Sequence, residues 1–101
     1  MIYVFDLDGT LCHTNGLEYR DATPFPSRIA HVNRLYDAGH TILVDTARGF
    51  VSGIDWTQLT RDQLAAWGVK YHDVRVGKKL FGDVYVDDKG VRAEDFFLCE
   101  N

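Results

Sequence analysis

The chain has little proline, few cysteines and no long hydrophobic run. Its 101 residues include two Pro and two Cys. So little proline, with no low-complexity tract, argues against a disordered or fibrous protein. Cys12 and Cys99 have neither the dense spacing of a disulfide framework nor the Cys-x-x-Cys pattern of a zinc site. We therefore predict that both are reduced thiols.

The lack of a long apolar segment bears on location. No stretch approaches the roughly eighteen apolar residues of a membrane span, and Asp6 interrupts the apolar N-terminus almost at once, which argues against a signal peptide. We therefore expect no membrane association and a cytoplasmic location.

An excess of basic residues is also missing. Fifteen acidic residues against eleven basic ones give a net charge of −4. Long nucleic acids usually need a basic surface, so this balance argues against them as partners, whereas small anionic substrates remain compatible. A hydrophobic content of 46% can bury one core, and we expect a single domain over 1–101.

Apolar segments alternate with helical patterns along the chain. The pattern predicts strands at 2–5, 41–44, within 69–76 and at 84–86, and a last strand at 96–98 after a helical turn at 92–95. It predicts one helix from Pro26 to a stop at Gly39 and another beginning near Thr60, in a capping box with Gln63. This alternation favours an α/β fold, a Rossmann-like three-layer sandwich with a mainly parallel central sheet.

Two carboxylates lie at the end of the first strand. Asp6 and Asp8 are separated by one residue, so on an extended chain both point to the same side. They repel each other unless a cation or a shared proton relieves them, and Mg²⁺ is the natural oxygen-bound partner. Gly9 then allows a sharp turn, and Thr10 can cap the next element. The pattern points to phosphate chemistry.

Three further polar segments come after later strands, where ligands bind in parallel sheets. They are Thr46-Ala47-Arg48-Gly49, Gly77-Lys78-Lys79 and Asp87-Asp88. Taken singly, the first is an ordinary turn, the second a pair of solvated lysines and the third an acidic turn. The carboxylates of Asp87 and Asp88 would be costly to bury without a cation.

The segment Asp6-Leu7-Asp8-Gly9-Thr10 resembles the first motif of the haloacid dehalogenase (HAD) superfamily, whose members are mostly Mg²⁺-dependent phosphatases. The three later segments resemble its remaining motifs, in the same order. Residues 23–39, 53–72 and 83–89 are similar to small bacterial and phage HAD-like proteins, some of them described as capsule-biosynthesis phosphatases. The resemblance covers nearly the whole chain and implies a phosphorylated sugar or another small metabolite as substrate.

The resemblance implies a role for each matching residue. Asp6 would attack phosphorus, Asp8 would be the general acid and base with a raised pKa, and Thr46 and Lys78 would hold the phosphoryl group. Asp6, Asp8 and Asp87 would bind Mg²⁺, with the main-chain carbonyl as the ligand from Asp8 and Asp88 acting directly or through water. The implied substrate-binding residues are Gly9, Thr10, Ala47 and Arg48.

Two positions depart from the family pattern. Asp45 stands where the relatives carry an apolar or bulky residue, and strand alternation predicts that it faces away from Thr46. Lys79 replaces a proline, which leaves open whether Lys78 or Lys79 is the phosphate-site lysine.

The intervals between the motifs hold little more than one helix and its loops, so no cap domain is expected. An open site suits a bulky substrate or one enclosed by another subunit, and exposed aromatic residues would suit a homo-oligomer. The loop 11–25 lies where the superfamily has a small flap, and we predict that Tyr19 and Arg20 contact the substrate. Trp56 and Trp67 are predicted to be packing residues.

Two alternative functions remain open. One is a nucleotide or polynucleotide 3′-phosphatase, and the other is a catalytically weak phosphate-binding interaction module. A signalling receiver domain is disfavoured, because its acidic pair and its phosphoacceptor occur in the opposite order.

Overall fold

The computed structural model describes residues 1–50, 52–77, 84–86 and 96–97. In chain order the elements are β1 (Ile2–Asp6), β2 (Cys12–His13), β3 (Thr23–Pro24), α1 (Pro26–Asp37), β4 (Thr41–Thr46), α2 (Thr57–Ala66), β5 (Asp73–Val76) and β6 (Val84–Val86). Four strands form a parallel sheet in the order β5-β4-β1-β6, and β2 pairs with β3 in a separate antiparallel ribbon. The predicted α/β class with a parallel sheet is confirmed.

The core lies between the sheet and its two helices. Phe5 of β1 is paired with Val44 of β4, and both are fully buried in one cluster with Ile29 of α1 and Leu64 of α2. Since residues paired across parallel strands share a face, both helices pack on the same side of the sheet. The described residues therefore provide the sheet and one helical layer, and the three-layer sandwich stays a prediction.

Helix α1 begins at Pro26 as predicted, where the missing N–H of proline costs nothing. The helix ends at Asp37, two residues before Gly39. Gly39 has a φ of 96°, the left-handed conformation that favours glycine after a helix. The predicted start of α2 is wrong, because the helix begins at Thr57, with Trp56 and not Thr60 as its N-cap residue. Thr60 and Gln63 are buried instead.

The last predicted strand is wrong at the two residues of it that the structure describes. Phe96 and Phe97 are helical, and both rings pack against Phe5. Consecutive aromatic residues predict a strand because aromatic residues are enriched in strands. Their large rings can equally pack against the core from a helix. The predicted helical turn at 92–95 lies outside the described residues.

Within the described ranges, no helix is both long enough and apolar enough to cross a bilayer.

Candidate functional site

The site lies where two neighbouring parallel strands end. Asp6 is the last residue of β1 and Thr46 is the last residue of β4, so their side chains stand at the same edge of the sheet. Asp6 Oδ1 accepts a hydrogen bond of 2.9 Å from the Leu7 N–H, which orients the carboxylate. The chain then turns at Gly9, whose φ is 84°.

Asp8 is held by a buried arginine. Arg48 Nε donates to Asp8 Oδ2 over 2.9 Å, and Arg48 Nη2 donates to Asp8 Oδ1 over 2.7 Å. The Arg48 side chain is fully buried, whereas the Asp8 side chain is 26% exposed. This bidentate pair is the strongest geometry for an arginine and a carboxylate, and it presents one edge of Asp8 to solvent.

The other guanidinium nitrogen ties this pair to α2 and to the loop 11–25. Arg48 Nη1 donates to Gln63 Oε1 over 2.6 Å and to Thr60 Oγ1 over 3.3 Å. Gln63 Nε2 in turn donates to the main-chain oxygen of Tyr19 over 2.6 Å. The Tyr19 ring lies 4.8 Å from the guanidinium carbon, within the range of a cation–π contact.

Thr46 is joined to the same network through the main chain. The Arg48 N–H donates to Thr46 Oγ1 over 3.3 Å. Because this bond uses the hydroxyl as an acceptor, the Thr46 proton remains for another acceptor. The structure therefore joins Asp8, Thr46 and Arg48 in one network, although they lie in two separate parts of the sequence. Asp6 lies at the end of the neighbouring strand, where its register partner is Asp45.

Asp8 and Cys12 respond oppositely to their surroundings. Burial raises the pKa of Asp8, but the hydrogen bonds and charge of Arg48, with bonds from Thr14 and Cys12, outweigh it and set the pKa below 3.8. The prediction of a raised Asp8 pKa is therefore wrong for the free protein. Burial raises the pKa of the Cys12 thiol to about 11, and this cysteine is free, as predicted.

The predicted substrate-binding residues separate into two groups. Gly9 and Ala47 are exposed at the edge of the site. Thr10 and Arg48 are 3% and 1% exposed, so they lie beneath the surface. All three nitrogens of the Arg48 guanidinium are occupied by protein acceptors, so the Arg48 side chain supports Asp8. The predicted substrate contact of this segment, through main-chain N–H groups, stays a prediction.

Asp45 lies beside the proposed nucleophile. It is the in-register partner of Asp6 across β1 and β4, so both residues belong to the same face of the sheet. Burial alternates along β4, with Val44 and Thr46 buried and Asp45 half-buried. The prediction that Asp45 faces away from Thr46 is confirmed by this alternation, and the register adds that Asp45 neighbours Asp6.

The remaining predicted site residues lie outside the described part of the chain. They are Lys78, Lys79, Asp87 and Asp88. Among the described residues, no group of three or more His, Cys, Asp or Glu could hold a metal ion.

Tyr19 and Arg20 meet Trp56 at the rim of the site. The ring centroids of Tyr19 and Trp56 are 5.1 Å apart in an edge-to-face arrangement. The Arg20 guanidinium carbon lies 5.0 Å from the Trp56 ring centroid. Trp56 therefore does more than the predicted packing, since it fixes two side chains of the loop 11–25.

Thr14, Thr60 and Gln63 contribute to the site without having been predicted. For Thr14 the sequence carries no distinguishing signal. Thr60 and Gln63 do carry one, because two polar residues three positions apart lie on the helix side that also carries Leu64. A polar pair on an apolar helix face requires a buried partner, and here that partner is Arg48.

Comparison with solved structures supports the fold. The chain is similar to a target protein from Vibrio cholerae known from a crystal structure, with 28% sequence identity and a TM-score of 0.77. The match covers 100% of this chain and 90% of the Vibrio cholerae chain. No family model and no curated protein matches the chain.

Proposed function

We propose that this protein is a Mg²⁺-dependent phosphomonoester hydrolase that works through an aspartyl-phosphate on Asp6, with a phosphorylated sugar or another small metabolite as substrate. The observation that supports the proposal is that Asp6 and Thr46 end two adjacent parallel strands, with Asp8 two residues beyond the end of β1. The resemblance of the four polar segments to the HAD motifs supports the same chemistry.

The first step would be attack by an Asp6 carboxylate oxygen on phosphorus. A bond forms between Asp6 and phosphorus, the bond from phosphorus to the substrate oxygen breaks, and Asp8 gives its proton to that departing oxygen. In the second step Asp8 takes a proton from water as the water oxygen bonds to phosphorus. The bond to Asp6 then breaks, which releases phosphate, restores the Asp6 carboxylate and leaves Asp8 protonated, as it was before the first step.

Arg48 favours the second step over the first. It stabilises ionised Asp8, the form that accepts a proton from water, and disfavours the protonated form needed to assist the leaving group. We therefore expect substrates with good leaving groups to react more readily than alkyl phosphates, because they need less help from a proton.

The donor chemistry fits Mg²⁺, which prefers oxygen ligands. The Asp6 carboxylate, the main-chain carbonyl of Asp8 and the carboxylate of Asp87 would hold the ion, and Asp88 would act directly or through water. Both Asp8 side-chain oxygens bond to Arg48, which favours the main-chain oxygen as the ligand from that residue. When bound, Mg²⁺ would offset negative charge on the nucleophile and on the phosphoryl oxygens. Thr46 would donate its hydroxyl proton to one of those oxygens.

Phosphate release tests the proposal. Purified protein is assayed with sugar phosphates, nucleotides and 3′-phosphorylated oligonucleotides, with Mg²⁺ and with chelator, beside Asp6→Asn as the matched inactive control. We expect release that requires Mg²⁺ and is lost in Asp6→Asn, with small metabolites as the better substrates. Absence of release from folded protein would contradict the proposal and favour the phosphate-binding module. A preference for oligonucleotides that weakens steeply with salt would favour the polynucleotide phosphatase.

A further inference from the structure

An apolar pocket adjoins the turn after Thr46. It has a volume of about 350 Å³, at the lower end of the range for small-molecule sites. Its lining is mostly apolar and consists of Leu17, Tyr19, Ala47, Gly49, Ser52, Ile54 and Trp56. The pocket therefore combines the loop 11–25 with the segment between β4 and α2.

The pocket adjoins the candidate site through two of its walls, Ala47 and Tyr19. Ala47, one of its walls, is the residue between Thr46 and Arg48. Tyr19, another wall, stacks on the Arg48 guanidinium and is tied through Gln63 to the arginine that holds Asp8. A substrate with its phosphoryl group near Asp6 and Thr46 thus has this pocket directly beside the site.

The walls combine exposed apolar surface with a fixed aromatic ring. Leu17 is 76% exposed and Ile54 is 55% exposed, and exposed apolar side chains around a concavity mark a contact surface. Tyr19 and Arg20 hold the Trp56 indole in place, so the aromatic wall is formed before a ligand arrives. These features suit a ring and not a polyol, whose hydroxyl groups would meet few polar partners there.

We infer that this pocket binds the organic part of the substrate and selects phosphomonoesters with a compact apolar or aromatic group. The inference rests on the proposed function and, between its two substrate classes, favours another small metabolite over a phosphorylated sugar. Leu17, Ile54 and Trp56 would then be specificity-determining residues. Tyr19 would both line the pocket and belong to the network that positions Asp8.

The test compares 2-phenylethyl phosphate with 2-hydroxyethyl phosphate in saturating Mg²⁺. Their alcohols have similar acidity, so the ratio of kcat/KM values reports the pocket and not leaving-group reactivity. We expect the phenyl substrate to be favoured about tenfold or more, from burial of one ring. Ile54→Ser and Leu17→Ser should bring the ratio close to one, mainly through a higher KM for the phenyl substrate. Phe50→Ser is the matched control, since Phe50 is 74% exposed and is not part of the lining, and its ratio should stay as in the wild type.

The outcomes separate the two proposals. Hydrolysis of both substrates with equal kcat/KM would overturn the pocket assignment and leave the phosphatase proposal intact. If neither of these two substrates is hydrolysed, and no substrate of the wider panel is either, the phosphatase proposal is overturned together with the pocket assignment that rests on it. A concentration-dependent dimer that Ile54→Ser dissociates would also overturn the assignment, because a second copy would then be the occupant of the pocket.

Discussion

Arg48 grips the Asp8 carboxylate with two parallel hydrogen bonds from a side chain that is itself fully buried. The two residues are 40 positions apart, and their pairing fixes the loop after β1 against the loop after β4. A buried guanidinium is tolerated only when its charge and its donors are met, and Thr60 and Gln63 complete that set. The proposed acid and base of the reaction is thus positioned by side chains that are themselves buried beneath the site.

Replacing Arg48 by lysine should raise the pKa of Asp8. Lysine carries the charge but cannot make the two parallel bonds, so it stabilises ionised Asp8 less well. Carbon-detected NMR of the Asp8 carboxyl during a pH titration should give a pKa below 3.8 in the wild type and a higher value in Arg48→Lys. Arg28→Lys is the control, because Arg28 bonds to the Thr10 carbonyl and not to Asp8. Identical Asp8 titrations in wild type and Arg48→Lys would contradict this role of Arg48.

The same pair predicts a loss of stability in acid. The pKa of Asp8 is lower in the folded protein than in the unfolded chain, so its stabilising contribution is complete above about pH 3.8 and disappears as the pH falls through the folded value. Asp8→Asn should cost about 1–3 kcal/mol at pH 7, where it leaves the buried guanidinium without a counter-charge, and less at pH 3.

Urea unfolding between pH 3 and pH 7 measures this difference. Asp55→Asn is the matched control, because the pKa of Asp55 is also lowered, through its bonds with Thr57, but Asp55 is exposed. It should change the pH dependence less than Asp8→Asn does. An equal cost of Asp8→Asn at pH 7 and at pH 3 would show that the ion pair does not stabilise the fold.

Gly49→Ala should destabilise the segment between β4 and α2. Gly49 has a φ of 83°, and a Cβ there would overlap the main-chain oxygen of Ile54. We expect a loss of about 2–4 kcal/mol, since the substitution adds a steric clash to the backbone strain. Gly16→Ala is the control, with a φ of 56° but open space around its Cβ, and it should cost only about 1 kcal/mol. Equal shifts in thermal denaturation for the two variants would contradict the close contact at Gly49.

Asp45→Asn should weaken the response to Mg²⁺ without preventing folding. Asp45 is paired in register with Asp6, so its negative charge adds to the field around the proposed ion. We expect the Mg²⁺ concentration for half-maximal phosphate release to rise about threefold to tenfold, with a smaller change in the rate at saturating Mg²⁺. Asp37→Asn, at an exposed ion pair with Lys70, is the control and should leave the Mg²⁺ response unchanged. An unchanged response in Asp45→Asn would show that Asp45 does not contribute to cation binding.

The four strands of the parallel sheet and α1 could be predicted from local patterns, because each depends on a short run of residues, whereas β2 and β3 lie within the predicted loop 11–25. Ile2–Phe5 is apolar throughout, which is typical of a central strand in a parallel sheet. The start of α2 could not be predicted in this way. Thr60 and Gln63 fit a capping box, but a tertiary partner 12 to 15 residues away uses both side chains instead.

In the candidate site, too, some features follow from local sequence patterns and others depend on tertiary contacts. The positions of Asp6 and Thr46 follow from strand ends, which a sequence reveals, and their adjacency follows from parallel pairing. The arrangement of charges does not follow, because it depends on which long side chain reaches which partner. The buried Arg48 side chain bonds to Asp8, 40 positions away, and no local pattern in the sequence indicates that pairing.

Trapping the phosphorylated residue tests most directly whether Asp6 is the nucleophile. Protein turning over its best substrate with Mg²⁺ is quenched in acid, reduced with borohydride and digested, and the peptide containing Asp6 is sequenced by mass spectrometry. We expect Asp6 alone to be converted to homoserine, because borohydride reduces an aspartyl phosphate to that residue. Omitting substrate should abolish the conversion. Phosphate release without modification at Asp6, or with modification at another carboxylate, would contradict it.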